Sequence, residues 1–183
     1  FGYYQKFVKN KSNLKKFTNF KKLFWEYFDF NNFKQDILCI YNNKNQFMPK
    51  EYLELALHFR RGDFAIPKYG MLLLDNNYFK KALKKISKEK KFASTYFRVT
   101  IFTDTKDIGE LDELIDLLKN NLRISSIFLD QSKSFNSFMH MTKAQIFLIS
   151  NSTFSLWAAL LSKQKASVYL PKKWQKDISI YDL

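Results

Sequence analysis

The chain reads as an α/β domain built on a doubly wound parallel sheet, and three features carry that reading. From Glu51 onward, short apolar segments rich in β-branched and aromatic residues alternate five times with segments of helical period. The spacing between successive strands leaves room for the crossover helix that parallel pairing requires. Polar residues then gather just after the strands, at Arg60 to Asp63, at Asp104 and at Ser150 to Ser155. Sheets of this kind bind ligands outside the carboxyl ends of their strands.

The elements follow in order. Residues 13–30 place Leu14, Phe17, Phe24 and Phe28 near one helical face, with Lys15, Lys16, Lys21 and Lys22 largely elsewhere. This amphipathic pattern suits a helix packed on the body of the protein, or one lying on an anionic membrane. Asn42 to Asn45 marks a turn or linker. Leu53–Phe59 is the first strand of the regular unit, and Asp75-Asn76-Asn77 can cap a helix carrying Tyr78, Phe79, Ala82, Leu83 and Ile86. Phe97–Thr103 is a strand ending at Asp104, and Ile108, Leu111, Ile115 and Leu118 have helical spacing with acids early, as a helix start prefers. A strand over Ile124–Leu129 ends at Asp130, a helix covers Ser137–Lys143, and Gln145–Ile149 is the next strand. Ser150 to Thr153 opens a helix over Phe154–Ser162, and a last strand over Ser167–Leu170 stops at Pro171. Two units result: residues 1–50, a helical connecting segment, and residues 51–183, the sheet domain.

Composition narrows the function classes. With 46% apolar residues, including 20 Phe, 10 Tyr and 3 Trp, the 183-residue chain can bury a sizeable core, and 4 Gly and 3 Pro exclude collagen-like or Pro/Gly-rich disorder. No run of 18 apolar residues occurs, and the single Cys39 permits no internal disulfide, which points to a reducing, cytoplasmic setting. The formal charge of +14 comes from 31 basic residues, of which only Arg60, Arg61, Arg98 and Arg123 are arginines. Such an excess attracts polyanions or an anionic membrane surface. The lysines are spread along the chain instead of forming one stripe, so nucleic acid is not the expected partner.

Two clusters can carry chemistry. In His58-Phe59-Arg60-Arg61-Gly62-Asp63, two of the four arginines and one of the two histidines fall within four positions of a strand terminus. A chain that otherwise uses lysine would place arginine there for its planar fork, which grips phosphate or carboxylate bidentately. Gly62 lets the backbone turn and approach a ligand. The plainer reading of the cluster is a surface loop with an Arg–Asp pair and a histidine satisfied in the core. In the second cluster, Asn151, Ser152, Thr153 and Ser155 lie between a strand and a helix. They suit either an anion site or an ordinary N-cap. Asp104 is open to the same two readings. The sequence has no Walker-type loop, no G-x-G-x-x-G, no D-x-D and no Cys/His set for zinc, and His140 sits on an apolar-rich helix, as a structural histidine would.

These clusters meet a known family. His58 to Phe64 resembles the H-x-R-R-G-D-Y/F motif of the alpha-1,2-fucosyltransferases, glycosyltransferase family 11. Gly2 to Gln5 resembles its G-Y-F-Q, Ile101 to Asp104 its F-S/T-D, and Ser150 to Ala159 its S/A-N-S-T/S-F-S-W-W-A/G-A. Asp75 to Ala82 looks like the helix after the arginine loop. Leu156 stands where the family has the first Trp of its pair, Ile146 where it usually has His, and the early G-x-G-N-Q motif has no counterpart.

The resemblance implies transfer of L-fucose from GDP-fucose to a hydroxyl of a galactose-containing glycan, forming an alpha-1,2 linkage with inversion and no required metal or other cofactor. It also implies a GT-B architecture, of which this chain would be the C-terminal, donor-binding, Rossmann-like half. Arg60 is then the β-phosphate contact and Asp63 the residue orienting its loop, or alternatively the chemical residue. His58, Arg61, Gly62, Asp104, Asn151, Ser152, Thr153 and Ser155 would line the donor site. Peripheral contact with the inner membrane is a further expectation. A nucleotide- or polyanion-binding module without turnover is the alternative.

Overall fold

The computed structural model describes residues 11–27, 36–43, 51–66, 72–175 and 178–179. Six strands form the main sheet: β1 (Ile37–Asn42), β2 (Tyr52–Phe59), β3 (Tyr96–Thr103), β4 (Ile124–Asp130), β5 (Ile146–Leu148) and β6 (Ser167–Tyr169). The helices are α1 (Lys11–Tyr27), α2 (Asn76–Lys88), α3 (Ile108–Asn121), α4 (Ser134–Met141) and α5 (Thr153–Leu160). Two short strands, β7 (Lys173–Gln175) and β8 (Ile178–Ser179), pair separately. The sheet order is β1-β4-β3-β2-β5-β6, with every pair parallel except β1 with β4. This is the Rossmann-like α/β class expected from the alternation of elements.

Side-chain alternation sorts the two faces. Leu55, Leu57 and Phe59 of β2, with Val99 and Ile101 of β3, share one buried cluster with Phe79, Leu83 and Ile86 of α2 and Leu114 and Leu118 of α3. The opposite face carries Ala56, Phe102, Phe147 and Ile149 against Met141, Ala158 and Ala159. Inner strands apolar on both sides are what a parallel sheet covered by helices demands. Asp75 caps α2 by accepting a hydrogen bond from Tyr78 N at 3.0 Å, as its position before the helical run predicts.

Helix α1 packs on the body. Phe24 is buried with Met139 and Leu161, Trp25 Nε1 donates to Leu161 O at 2.8 Å, and Phe17 lies against Trp157. Phe28 and the side chain of Leu14 lie outside the described residues, as do Gly2 to Gln5 and the end of the expected turn at Lys44 and Asn45. Three strands were not foreseen from the sequence: β7 and β8, which follow the strand expected to be the last, and β1. The segment Ile37–Asn42, expected within a helical connection, is instead an antiparallel edge strand on β4. Its side chains are exposed or half-buried, so it lacks the continuous apolar signature of the inner strands. Tertiary pairing supplies the order that local pattern does not.

Candidate functional site

Topology decides where the site lies. From β2 the chain moves outward to β3 and β4 through α2 and α3 on one face, then returns to the other side of β2 as β5 and β6. The crevice where the winding reverses therefore falls between β2 and β5, the favoured ligand position in open α/β sheets. The arginine loop leaves β2 there, the Ser150–Ser155 loop leaves β5, and Asp104 follows β3 on the other side of β2. The three strand ends that carry the sequence clusters are neighbours in space.

Hydrogen bonds fasten them. Ser150 Oγ donates to His58 O at 2.5 Å and accepts from Arg60 N at 3.1 Å, which joins β5 to β2. Thr103 Oγ1 donates to Phe59 O at 2.6 Å, which joins β3 to β2. Asp104 Oδ1 accepts from Arg61 N at 2.8 Å, while its other oxygen is paired with Arg60 Nη1. Arg60 Nη2 also donates to Asp63 Oδ1 at 2.6 Å. Gly62 is needed because of this packing: a Cβ there would lie 2.8 Å from Asp104 Cγ, a carboxyl held on both sides. The glycine serves close approach within the loop itself.

The two arginines part company. Arg60 is half-exposed at the mouth, with its guanidinium 5.6 Å from the Phe64 ring. Arg61 is buried, 6% exposed, and turned inward. Its Nη1 donates to Leu74 O at 2.7 Å, its Nε lies 3.1 Å from Glu110 Oε1, and its guanidinium stacks 3.7 Å above the Phe59 ring. The Nε contact is an ion pair whose alignment falls short of a hydrogen bond. Arg61 thus fastens the loop to the segment before α2 and to the first turn of α3. Neither Glu110 nor the Leu74 carbonyl was singled out by the sequence reading. The acids at the start of α3 were the one available signal for Glu110, and a backbone carbonyl leaves none.

The second loop divides in the same way. Asn151 is buried and donates from Nδ2 to Leu72 O at 2.8 Å. Ser155 is fully buried, and its hydroxyl donates to Ser152 O at 3.2 Å. Ser152 sits at the N-cap of α5 with no side-chain capping bond, and Thr153 is exposed. Asn151 and Ser155 therefore hold the turn, while Ser152 and Thr153 flank the free end of the helix.

His58 lies under the crevice, 6% exposed, with its ring 5.9 Å from that of Phe154 and its Nδ1 without a hydrogen-bond partner. Burial, reinforced by the nearby charge of Arg60 and opposed by Asp104, lowers its pKa from 6.5 to about 4. The folded protein keeps the imidazole neutral where the unfolded chain protonates it. Stability should therefore be level above pH 6.5 and fall as pH drops from 6.5 towards 4. The loss is of the order of 3 kcal/mol across that window. Urea midpoints measured between pH 7.5 and 4.5 should show a steeper decline for the native protein than for His58→Asn; equal slopes would remove His58 as the cause.

The other histidine has a structural setting. His140 Nδ1 lies 2.6 Å from Asp130 Oδ2, and Ser137 Oγ donates to Asp130 Oδ1 at 2.6 Å. Burial alone would raise the Asp130 carboxyl. Hydrogen bonds from His140, Ser137 and Ser132 N–H, with the His140 charge, hold it below the usual range instead. The network ties the end of β4 to α4.

The sequence model of glycosyl transferase family 11 matches residues 48–180, well over half of the chain. The chain belongs to this family. No curated protein and no solved structure matches it. Membership of family 11 makes it a glycosyltransferase of the fucosyltransferase class, acting with a nucleotide-sugar donor and a glycan acceptor. The family 11 match contains all three loops of the crevice. Among the described residues no helix is long and apolar enough to cross a membrane.

Proposed function

We propose that this family 11 chain binds GDP-fucose in the β2/β5 crevice and serves inverting, metal-independent transfer of L-fucose to a galactoside hydroxyl, forming an alpha-1,2 linkage. The observation that carries the reading is the position of Arg60, the one arginine of the pair that reaches the mouth of the crevice. Inverting transfer is a single displacement with oxocarbenium character, and its leaving group is a nucleoside diphosphate. Charge grows on the β-phosphate as the glycosidic bond breaks, and a preorganised guanidinium is the group suited to meet it. The Ser152 and Thr153 end of α5 adds hydroxyls and the N–H groups of the first helical turn beside it.

Arg60 is held between two carboxylates, which together outweigh its charge. An arriving diphosphate gains from Arg60 only when one of them gives way. Asp104 is fixed by a second bond from Arg61 N, whereas Asp63 is 47% exposed on its side chain and is the freer partner. Asp63 is accordingly the residue that parks and orients the guanidinium. His58, Arg61, Gly62, Asp104, Asn151 and Ser155 support the donor by shaping the crevice. His58, Arg61, Asn151 and Ser155 do so from buried positions.

Isothermal calorimetry with nucleoside diphosphates tests the reading. GDP and GDP-fucose should bind at constant salt while ADP does not, and Arg60→Lys should weaken GDP. Equal heats for ADP and GDP would count against a guanine nucleotide, and binding by charge alone would show instead as a steep loss of affinity with added salt.

A further inference from the structure

Between Lys80 and Lys91 the chain places seven lysines in twelve positions, with Glu89 the one acid. Thirty-one basic residues spread over 183 positions would put about two in such a window. The lysines as a whole are spread along the chain, and the structure collects these seven on the outward side of α2 and the turn after it. All seven are exposed, because Phe79, Leu83 and Ile86 occupy the buried stripe of the same helix.

The charge is left unbalanced. Glu89 pairs with Lys91 at 3.1 Å, and no other of these lysines makes an ion pair with a described residue. Acids are close at hand, since α3 packs beside α2 and carries Glu110, Asp112, Glu113 and Asp116. Glu110 pairs with Arg61, Glu113 accepts from Asn76 Nδ2 in the first turn of α2 at 2.6 Å, Asp116 lies by Lys119, and among the described residues none of the four acids makes an ion pair with a ridge lysine. Like charges three and four residues apart on a helix repel, so an anionic surface brought against α2 relieves a repulsion that the described acids do not. Lys81, Lys84, Lys85 and Lys88, with Glu89, line a shallow open depression of about 420 Å³, and Lys91 Nζ donates to Ser167 Oγ at 2.8 Å, which sets the ridge along the β6 edge.

We propose that the outer face of α2 is a docking surface for an anionic phospholipid bilayer. The ridge contains no arginine fork for base edges or phosphates, and its aromatics Tyr78 and Phe79 are half-buried or buried, leaving no ring for a base to stack on. A bilayer surface asks only for dense, diffuse positive charge on an open face. This face is α2 and not α1, whose Phe24 and Trp25 are already spent on the body of the protein. The proposal stands apart from the donor site and does not depend on it.

Sedimentation with vesicles of phosphatidylcholine, with and without about 30% phosphatidylglycerol, tests it. The native chain should bind the anionic vesicles at low salt, leave the neutral ones, and dissociate as salt rises. Changing Lys81, Lys84, Lys85 and Lys88 together to Gln should lower the partition coefficient by at least about a hundredfold. The same charge change at Lys15, Lys16, Lys106 and Lys133 should cost about tenfold or less, since those positions lie off the ridge. Circular dichroism and the thermal midpoint establish that both variants are folded. Equal losses in the two variants, no binding by the native chain, or capture by a DNA duplex in preference to anionic vesicles would each overturn the proposal.

Discussion

In a complete family 11 enzyme, replacing Arg60 by lysine is expected to lower kcat for fucose transfer by about a hundredfold or more, the cost of losing one oxyanion donor. Lysine keeps the charge but not the fork. The diphosphate gains charge only as the bond breaks, so the loss should be greater in kcat than in GDP affinity. Steady-state kinetics with GDP-fucose and a galactoside, beside calorimetry with GDP, separates the two quantities. Asp63→Asn should do less harm, because Asp63 shares the guanidinium with Asp104. Near-normal turnover in Arg60→Lys with a dead Asp63→Asn would reverse the roles and make Asp63 the chemical residue.

The second large effect belongs to stability. Arg61→Ala removes the bond to Leu74 O, the ion pair with Glu110 and the stack on Phe59. It also leaves a buried carbonyl without its donor. Breaking a buried pair from one side costs about 3–5 kcal/mol. Glu110 is 37% exposed on its side chain and can turn to water, so a loss of about 2–4 kcal/mol is expected. Urea unfolding would register it as a lower midpoint at unchanged slope. Arg61→Lys should recover little, since an ammonium cannot stack on Phe59 while also reaching Leu74 O. If Arg61→Ala instead kept its midpoint and lost only GDP binding, Arg61 would be a ligand contact and not a fastening.

The two arginines differ in a way that adjacent positions in a sequence do not show. Both read as fork-bearing donors at a strand end. They part at the carboxyl end of β2: one guanidinium lies at the crevice mouth, the other on the Phe59 ring beneath α2 and α3. Ser152 and Ser155 show the same divergence around the first turn of α5. One stands at the open helix end, the other is fully buried.

The periodicities were enough for the inner strands and for the helices that cover them, because an element buried on a fixed face must repeat its apolar residues at its own period. They were enough, too, to place polar residues at three strand ends, since a residue after a buried strand emerges at the sheet's carboxyl edge. The edge strand β1 was not legible, because a strand lying largely in solvent needs no such repeat. Nor was the meeting of the three ends. Strand order is set by long-range pairing, and only the reversal of winding between β2 and β5 brings Arg60, Asp104 and Ser150 together. The lysine ridge divides the same way: its composition stands in the sequence, but whether the acids of α3 pair with it is a matter of packing alone.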